Sequence, residues 1–244
     1  MFHFNHEKFD FWSIYNAIVH FYPIGVKKDE SKLFFDYPGY KELEQIIVDE
    51  IHDNEKYNRW EVFSEEISKV TNRQVIGTTY ARVPSLSAYL ELEKTILDDL
   101  TRTKELHFYV SLLGPFYTVF GQDRNTISIE NGGSWFSTNY FVVSPEKEFA
   151  ESFNILCEKI ENRFEGYRFV PFYIYEQKLN DLFISYWNEN AGGSVFHALF
   201  NNTIDFDNVQ IVGQDFHKSD NWIKEGYVDS GARWISYPTD ELRP

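Results

Sequence analysis

From Leu106 to Gln122 the chain runs for seventeen residues without a formal charge. Leu106, Phe108, Val110 and Leu112 alternate with His107, Tyr109 and Ser111, which is the period-two pattern of a strand. Gly114-Pro115 breaks the run and Phe116 to Phe120 resumes it. That break leaves no apolar stretch near the ~20 residues of a membrane helix. So much apolar side chain must instead lie in a sheet. The pattern continues as a turn at Asp123-Arg124-Asn125, a strand over 126–129, a glycine-rich bend and a strand over 138–143. Upstream, 75–83 and 87–92 are predicted strands on either side of Pro84-Ser85, and the charged segment 93–104 is either a short helix or a long hairpin tip.

Helical periodicity brackets this sheet. Phe11, Ile14, Tyr15, Ile18, Val19 and Tyr22 share one face of a first helix, and Leu43, Ile46, Ile47 and Ile51 mark a second that follows Pro38-Gly39. Trp60, Phe63, Ile67 and Val70 mark a third. After the sheet, Ser144 is suited to cap a helix and Pro145 to open it, and Phe149, Phe153, Leu156, Cys157, Ile160 and Phe164 recur on one stripe up to Gly166. A short returning strand over 167–170, a short helix capped by Ser194 and edge strands over 209–212 and 233–237 complete the expectation. The predicted class is α+β: a mainly antiparallel sheet over about residues 75–143, N-terminal helices, and one long amphipathic helix over 144–165 packed on the sheet. One domain over 1–244 is expected, with the weakest join near residue 72.

Composition narrows the function. Acidic residues number 38 against 23 basic, a formal charge of −15. Such a field repels nucleic acid phosphates and anionic membranes and attracts basic protein partners. Neither nucleic acid nor membrane is an expected partner. Cys157 is the single cysteine, so no internal disulfide or multi-cysteine zinc site can form, and a reducing cytoplasmic setting fits. On the apolar stripe of a helix it is expected to be a buried, unreactive thiol.

Chemical motifs are scarce. There is no nucleophile elbow, no phosphate-binding loop and no dinucleotide fingerprint, so catalysis is not the favoured expectation. No cofactor or metal is expected: His3 and His6 lack a third ligand. Trp135, Trp187, Trp222 and Trp234 suit sugar stacking, but no local pattern selects a catalytic pair of carboxylates.

Two readings of the function stand. In the first, an acidic surface meets a basic partner, and the densest carboxylates are Glu42, Glu44, Asp49 and Glu50 on the second helix and Asp205, Asp207 and Asp215 in the tail. In the second, the semi-polar face of the central strand lines a small-molecule or sugar pocket through His107, Tyr109, Ser111 and Tyr117. The acidic amphipathic helices, the segment Phe108-Tyr109-Val110-Ser111-Leu112-Leu113-Gly114-Pro115-Phe116, the helix from Ser144 to Phe164 and Val195-Phe196-His197-Ala198-Leu199-Phe200 together resemble bacterial immunity proteins that neutralise polymorphic toxins. The resemblance implies a partner encoded alongside, often a basic toxin domain, held off by steric and electrostatic blockade.

Overall fold

The computed structural model describes residues 2–27, 31–79, 83–129, 133–184, 193–201 and 203–229. The uncharged alternating run lies at the centre of a sheet with strand order β1-β2-β3-β4-β5-β7, and β6 pairs with β4. The strands are β1 (Val75–Gly77), β2 (Ser85–Leu97), β3 (Leu100–Ser111), β4 (Phe116–Ser128), β5 (Ser134–Val142), β6 (Arg168–Phe169) and β7 (Gln210–Val212). Strands β1 to β5 form an antiparallel meander, while β6 and β7 add in parallel. The α+β class is therefore as the periodicities predict.

Several boundaries move for physical reasons. Strand β1 covers three residues rather than nine, and β2 starts at Ser85 and runs through the charged segment as one arm of a hairpin. Its turn places Asp98 at a left-handed φ of 48°, a conformation that Asp tolerates better than most residues. Asp123-Arg124-Asn125 is not a turn but the middle of β4, where cross-strand partners override the local turn preference. The predicted edge strand over 233–237, Trp187 and Trp234 lie outside the described residues.

Alternation gives each strand two faces, and both are buried at the Gly114 end of the sheet. His107, Tyr109, Phe116, Phe120 and Phe141 point to the first face; Leu106, Phe108, Val110, Tyr117 and Val119 point to the second. Over the first lie α1 (Trp12–Phe21), α6 (Phe172–Tyr175) and α7 (Val195–Leu199), contributing Ile14, Ile18, Tyr175, Phe196 and the adjacent Phe200. Over the second lie α4 (Asn54–Thr71) and α5 (Ala150–Arg163), contributing Trp60, Phe63, Ile67, Phe153, Leu156, Cys157 and Ile160. The Trp60 and Phe108 rings lie 5.7 Å apart, tilted at 46°, so contacts cross the predicted join near residue 72. Val70, expected on the inner face, is exposed. Helix α3 (Pro38–His52) packs on α1 and α4, and α2 (Ser31–Phe35) packs on α3. No helix among the described residues is long and apolar enough to cross a membrane.

Helix α5 corrects one expectation. It opens at Ala150 after a 3-10 turn over Lys147–Phe149, and Ser144 does not cap it. Ser144 Oγ instead accepts the N–H of Gln214 at 2.9 Å, tying the end of β7 to the end of β5. Gly121 marks where the turn meets the sheet: a Cβ there would sit 2.5 Å from the Phe149 ring. Ser194 behaves as predicted, accepting the His197 N–H at the start of α7.

Trp222 ties the two ends of the described chain together beneath the first face. Its ring lies 4.9 Å from Phe11 and under the Arg168 guanidinium, and its indole N–H donates to the Phe169 carbonyl at 2.6 Å. Asp10 N–H donates to the Trp222 carbonyl and Lys224 N–H to that of Lys8.

Phe108→Ala or Phe116→Ala should each cost roughly 3–5 kcal/mol in urea unfolding, because each removes a fully buried ring from a close-packed layer. Burial pushes the Cys157 thiol up to about 12. The native protein should therefore be inert to Ellman's reagent and gain one reactive thiol on unfolding.

Candidate functional site

From residue 105 back toward the turn between β2 and β3 the sheet changes character, and charged side chains enter both faces. On the first face Glu105, nearly inaccessible, lies 2.9 Å from Arg124 and 3.1 Å from His107 Nε2. On the second, Asp123 is fully buried and takes a two-pronged contact from Arg102, with Asn139 Nδ2 donating at 2.6 Å. Lys104 Nζ stands 2.7 Å from both Glu93 and Glu148, which hold its ammonium well above the ordinary lysine range. Burial alone would raise Asp123. Arg102, Asn139 and Tyr140 outweigh it and hold the carboxyl below its usual range. Burial likewise opposes ionisation of Glu105, and the hydrogen bond from His107 with the charges of His107 and Arg124 overcomes it.

His107 is thus part of a packed polar layer. Because Glu105 is ionised, His107 Nε2 donates to it, and the ring stacks at 12° on Phe120. Tyr109 packs against Phe196, and Ser111 Oγ donates to the Leu199 carbonyl at 2.9 Å, so α7 covers this part of the face. Tyr117 points to the opposite face, where its hydroxyl donates to Glu161 at 2.5 Å beside Lys218. The four side chains expected around one pocket divide between the two sides of the sheet.

The predicted acidic residues are placed as follows. Glu42 pairs with His20 at 2.9 Å, Asp49 accepts from Gln45, and Glu44 is exposed with no cation in ion-pair reach among the described residues. Glu50 lines a cleft of about 640 Å³ with Arg59, Trp60, Leu86, Arg163 and Phe164. In the tail, Asp205 accepts the Asp207 N–H, Asp207 pairs with Lys178, and Asp215 is exposed. Glu176 joins this second group. Burial and the charges of Asp215 and Asp207 push its carboxyl above the usual range. Helix α3 and the tail present separate acidic groups on different elements.

Sequence reasoning passed over a third group, on α4. Glu61 and Glu65, one turn apart, line a groove of about 410 Å³ with Tyr57, Trp60 and Ser64, and its other wall is β1 with Val75, Gly77 and Thr79. Strand β1 is an edge. Thr78 N–H donates to Ser87 and Glu91 N–H to Gln74, so residues 74, 76 and 78 face β2. Val75 and Gly77 therefore turn their N–H and C=O groups outward. Among the described residues no strand pairs with them, and space for a Cβ at Gly77 is open. An extended segment has a ladder to join here, beside two carboxylates that favour Lys or Arg. The sequence signal for it is the pair of i, i+4 carboxylates just before a predicted strand.

Among the described residues, no group of three or more His, Cys, Asp or Glu side chains is gathered so as to hold a metal ion. The chain matches no family model, no curated protein and no solved structure.

Asp123 and Glu105 ionise at lower pH when folded than when unfolded. Their contribution is complete above the ordinary carboxylate range and is lost as pH falls through the depressed values, so urea stability should drop most steeply below about pH 4. Arg102→Ala should cost roughly 1–3 kcal/mol by leaving a buried carboxylate short of its partner, and it should move the acid limb of that profile to higher pH.

Proposed function

We propose that this protein is an acidic binding protein that holds a basic protein partner, in the manner of an immunity protein neutralising a toxin by direct blockade. The observation that carries this reading is the juxtaposition of Glu61 and Glu65 with the open edge of β1. Around it, residues 38–71 carry nine acidic side chains against four basic. Glu61, like Glu44, has no ion-pair partner among the described residues. Glu65 has Lys69 at 3.5 Å, an exposed pair that solvent screens, so these carboxylates keep most of their field for an incoming partner.

The division of labour follows from range. The net charge of −15 accelerates encounter with a basic surface and turns away phosphate polymers. At contact, Tyr57 and Trp60 offer apolar area, the β1 edge offers backbone donors and acceptors, and Glu61 and Glu65 select cations. A toxin whose working surface is basic would be covered by the same charges that attract it. Cytosolic action, where a lone buried thiol is safe, belongs to the same proposal.

Capture experiments with the basic product of an adjacent gene test this reading. A stable complex is expected, with an association rate that falls at least tenfold between about 50 and 300 mM salt. The double substitution Glu61→Lys/Glu65→Lys should slow association by a further factor of about ten while leaving the thermal midpoint unchanged. A complex indifferent to salt and to both reversals would exclude the proposed surface, and no binding to any neighbouring gene product would exclude the function.

A further inference from the structure

The least protected part of the surface is the far end of β5. Residues 133–145 contain no charged side chain, in a chain that carries −15 overall. Trp135 is 57% and Phe136 66% exposed, on opposite faces of the strand. Strand β7 pairs only with residues 140–142, so among the described residues nothing pairs with the outer side of β5, away from β4, from Ser134 to Asn139. Edge strands of folded proteins are ordinarily blunted by lysine, proline or an inward charge. This one has none of them.

Its hydrogen-bond parity is also fixed. Ile129 N–H donates to the Gly133 carbonyl, and Ile127 lies opposite Trp135, so Trp135 and Ser137 direct their backbone groups to β4. Ser134, Phe136 and Thr138 direct theirs outward. That outward set is symmetric about Phe136. An antiparallel copy centred there would pair Phe136 with itself and Ser134 with Thr138, matching every outward N–H with a C=O.

We propose that β5 is a self-association edge, with a second copy of this chain pairing antiparallel about a two-fold axis through Phe136 and continuing the sheet across the interface. Charge favours this occupant. A basic partner finds no carboxylate on the strand, whereas two acidic copies can approach here without setting charge against charge on the paired strands. Paired this way, the two Phe136 rings meet on one face and each Trp135 lies beside Ser137 of the other copy. The area is small against the ~800 Å² per partner of a standard interface, so the dimer forms reversibly in the micromolar range. The β1 edges remain free at the outer ends.

Sedimentation velocity on the full chain from about 5 to about 500 µM is the test, the range being set by the modest area. Wild type should pass from monomer to dimer. Phe136→Lys sets two ammonium groups against each other on the axis and should weaken association at least tenfold. Ser134→Pro removes an outward N–H that no bond among the described residues uses and should act in the same direction, so one variant remains informative if the other misfolds. Leu97→Lys, on β2 three strands away and 63% exposed, should leave association unchanged. The Phe136 amide should exchange slowly in the dimer and rapidly on dilution. Monomer across the whole range, or association abolished by Leu97→Lys and kept in Phe136→Lys, overturns the proposal. So does an amide protected in the monomer, which would mean that this chain covers its own edge.

Discussion

Strands β3 and β4 carry large apolar side chains on both faces at the Gly114 end, and a sheet of that kind is stable only when each face is covered. The rest of the architecture answers this requirement. Helices α4 and α5 close the second face through Trp60, Phe63, Phe153 and Leu156. The first is closed by elements from opposite ends of the described chain, with Ile14 and Ile18 meeting Phe196, Phe200 and Trp222. Gly121 lets the Phe149 ring lie directly on β4, which sets how closely the turn before α5 approaches the sheet.

From Glu105 toward the turn between β2 and β3 the helical cover gives way to paired charge. Arg102, Lys104 and Arg124 each reach a carboxylate on a neighbouring element, and each pairing depends on which face of its strand the cation occupies. A one-residue slip between β3 and β4 would send Arg102 away from Asp123 and leave that buried carboxylate without its cation. The polar layer therefore discriminates register where the apolar layer, rich in interchangeable rings, discriminates it less. Farther out, Leu97, Leu100, Ile127 and Trp135 form a single cross-strand row on the second face.

Much of the fold was legible because period is a strong signal over long elements. The β3 alternation, the stripes of α4 and α5, and the Ser194 cap could all be read from residues alone. The errors share one origin, which is that short-range chemistry was outvoted by partners distant in sequence. Asp123-Arg124-Asn125 has turn composition, yet Arg102 and Asn139 hold it extended. Ser144-Pro145 has capping composition, yet the Gln214 amide claims the hydroxyl. The candidate site was less legible for the same reason. His107 and Tyr117 are ten residues apart with an intervening turn, and only strand pairing reveals that they face opposite ways. The acidic character of α3 and α4 was readable; that Glu61 and Glu65 flank an open sheet edge depends on where β1 docks.

The contact between Trp222 and the segment around Phe11 also bears on the order in which the molecule assembles. The β2–β5 meander is built from neighbouring hairpins and can form as soon as about sixty residues of chain are available, since local pairings close short loops. The first face is different. Phe11, Ile14 and Ile18 have only part of their cover, from α3 and the neighbouring N-terminal rings, until residues 196–222 arrive, so during synthesis these apolar side chains wait while most of the chain is made. That interval is when a chain of this topology is most open to misassociation.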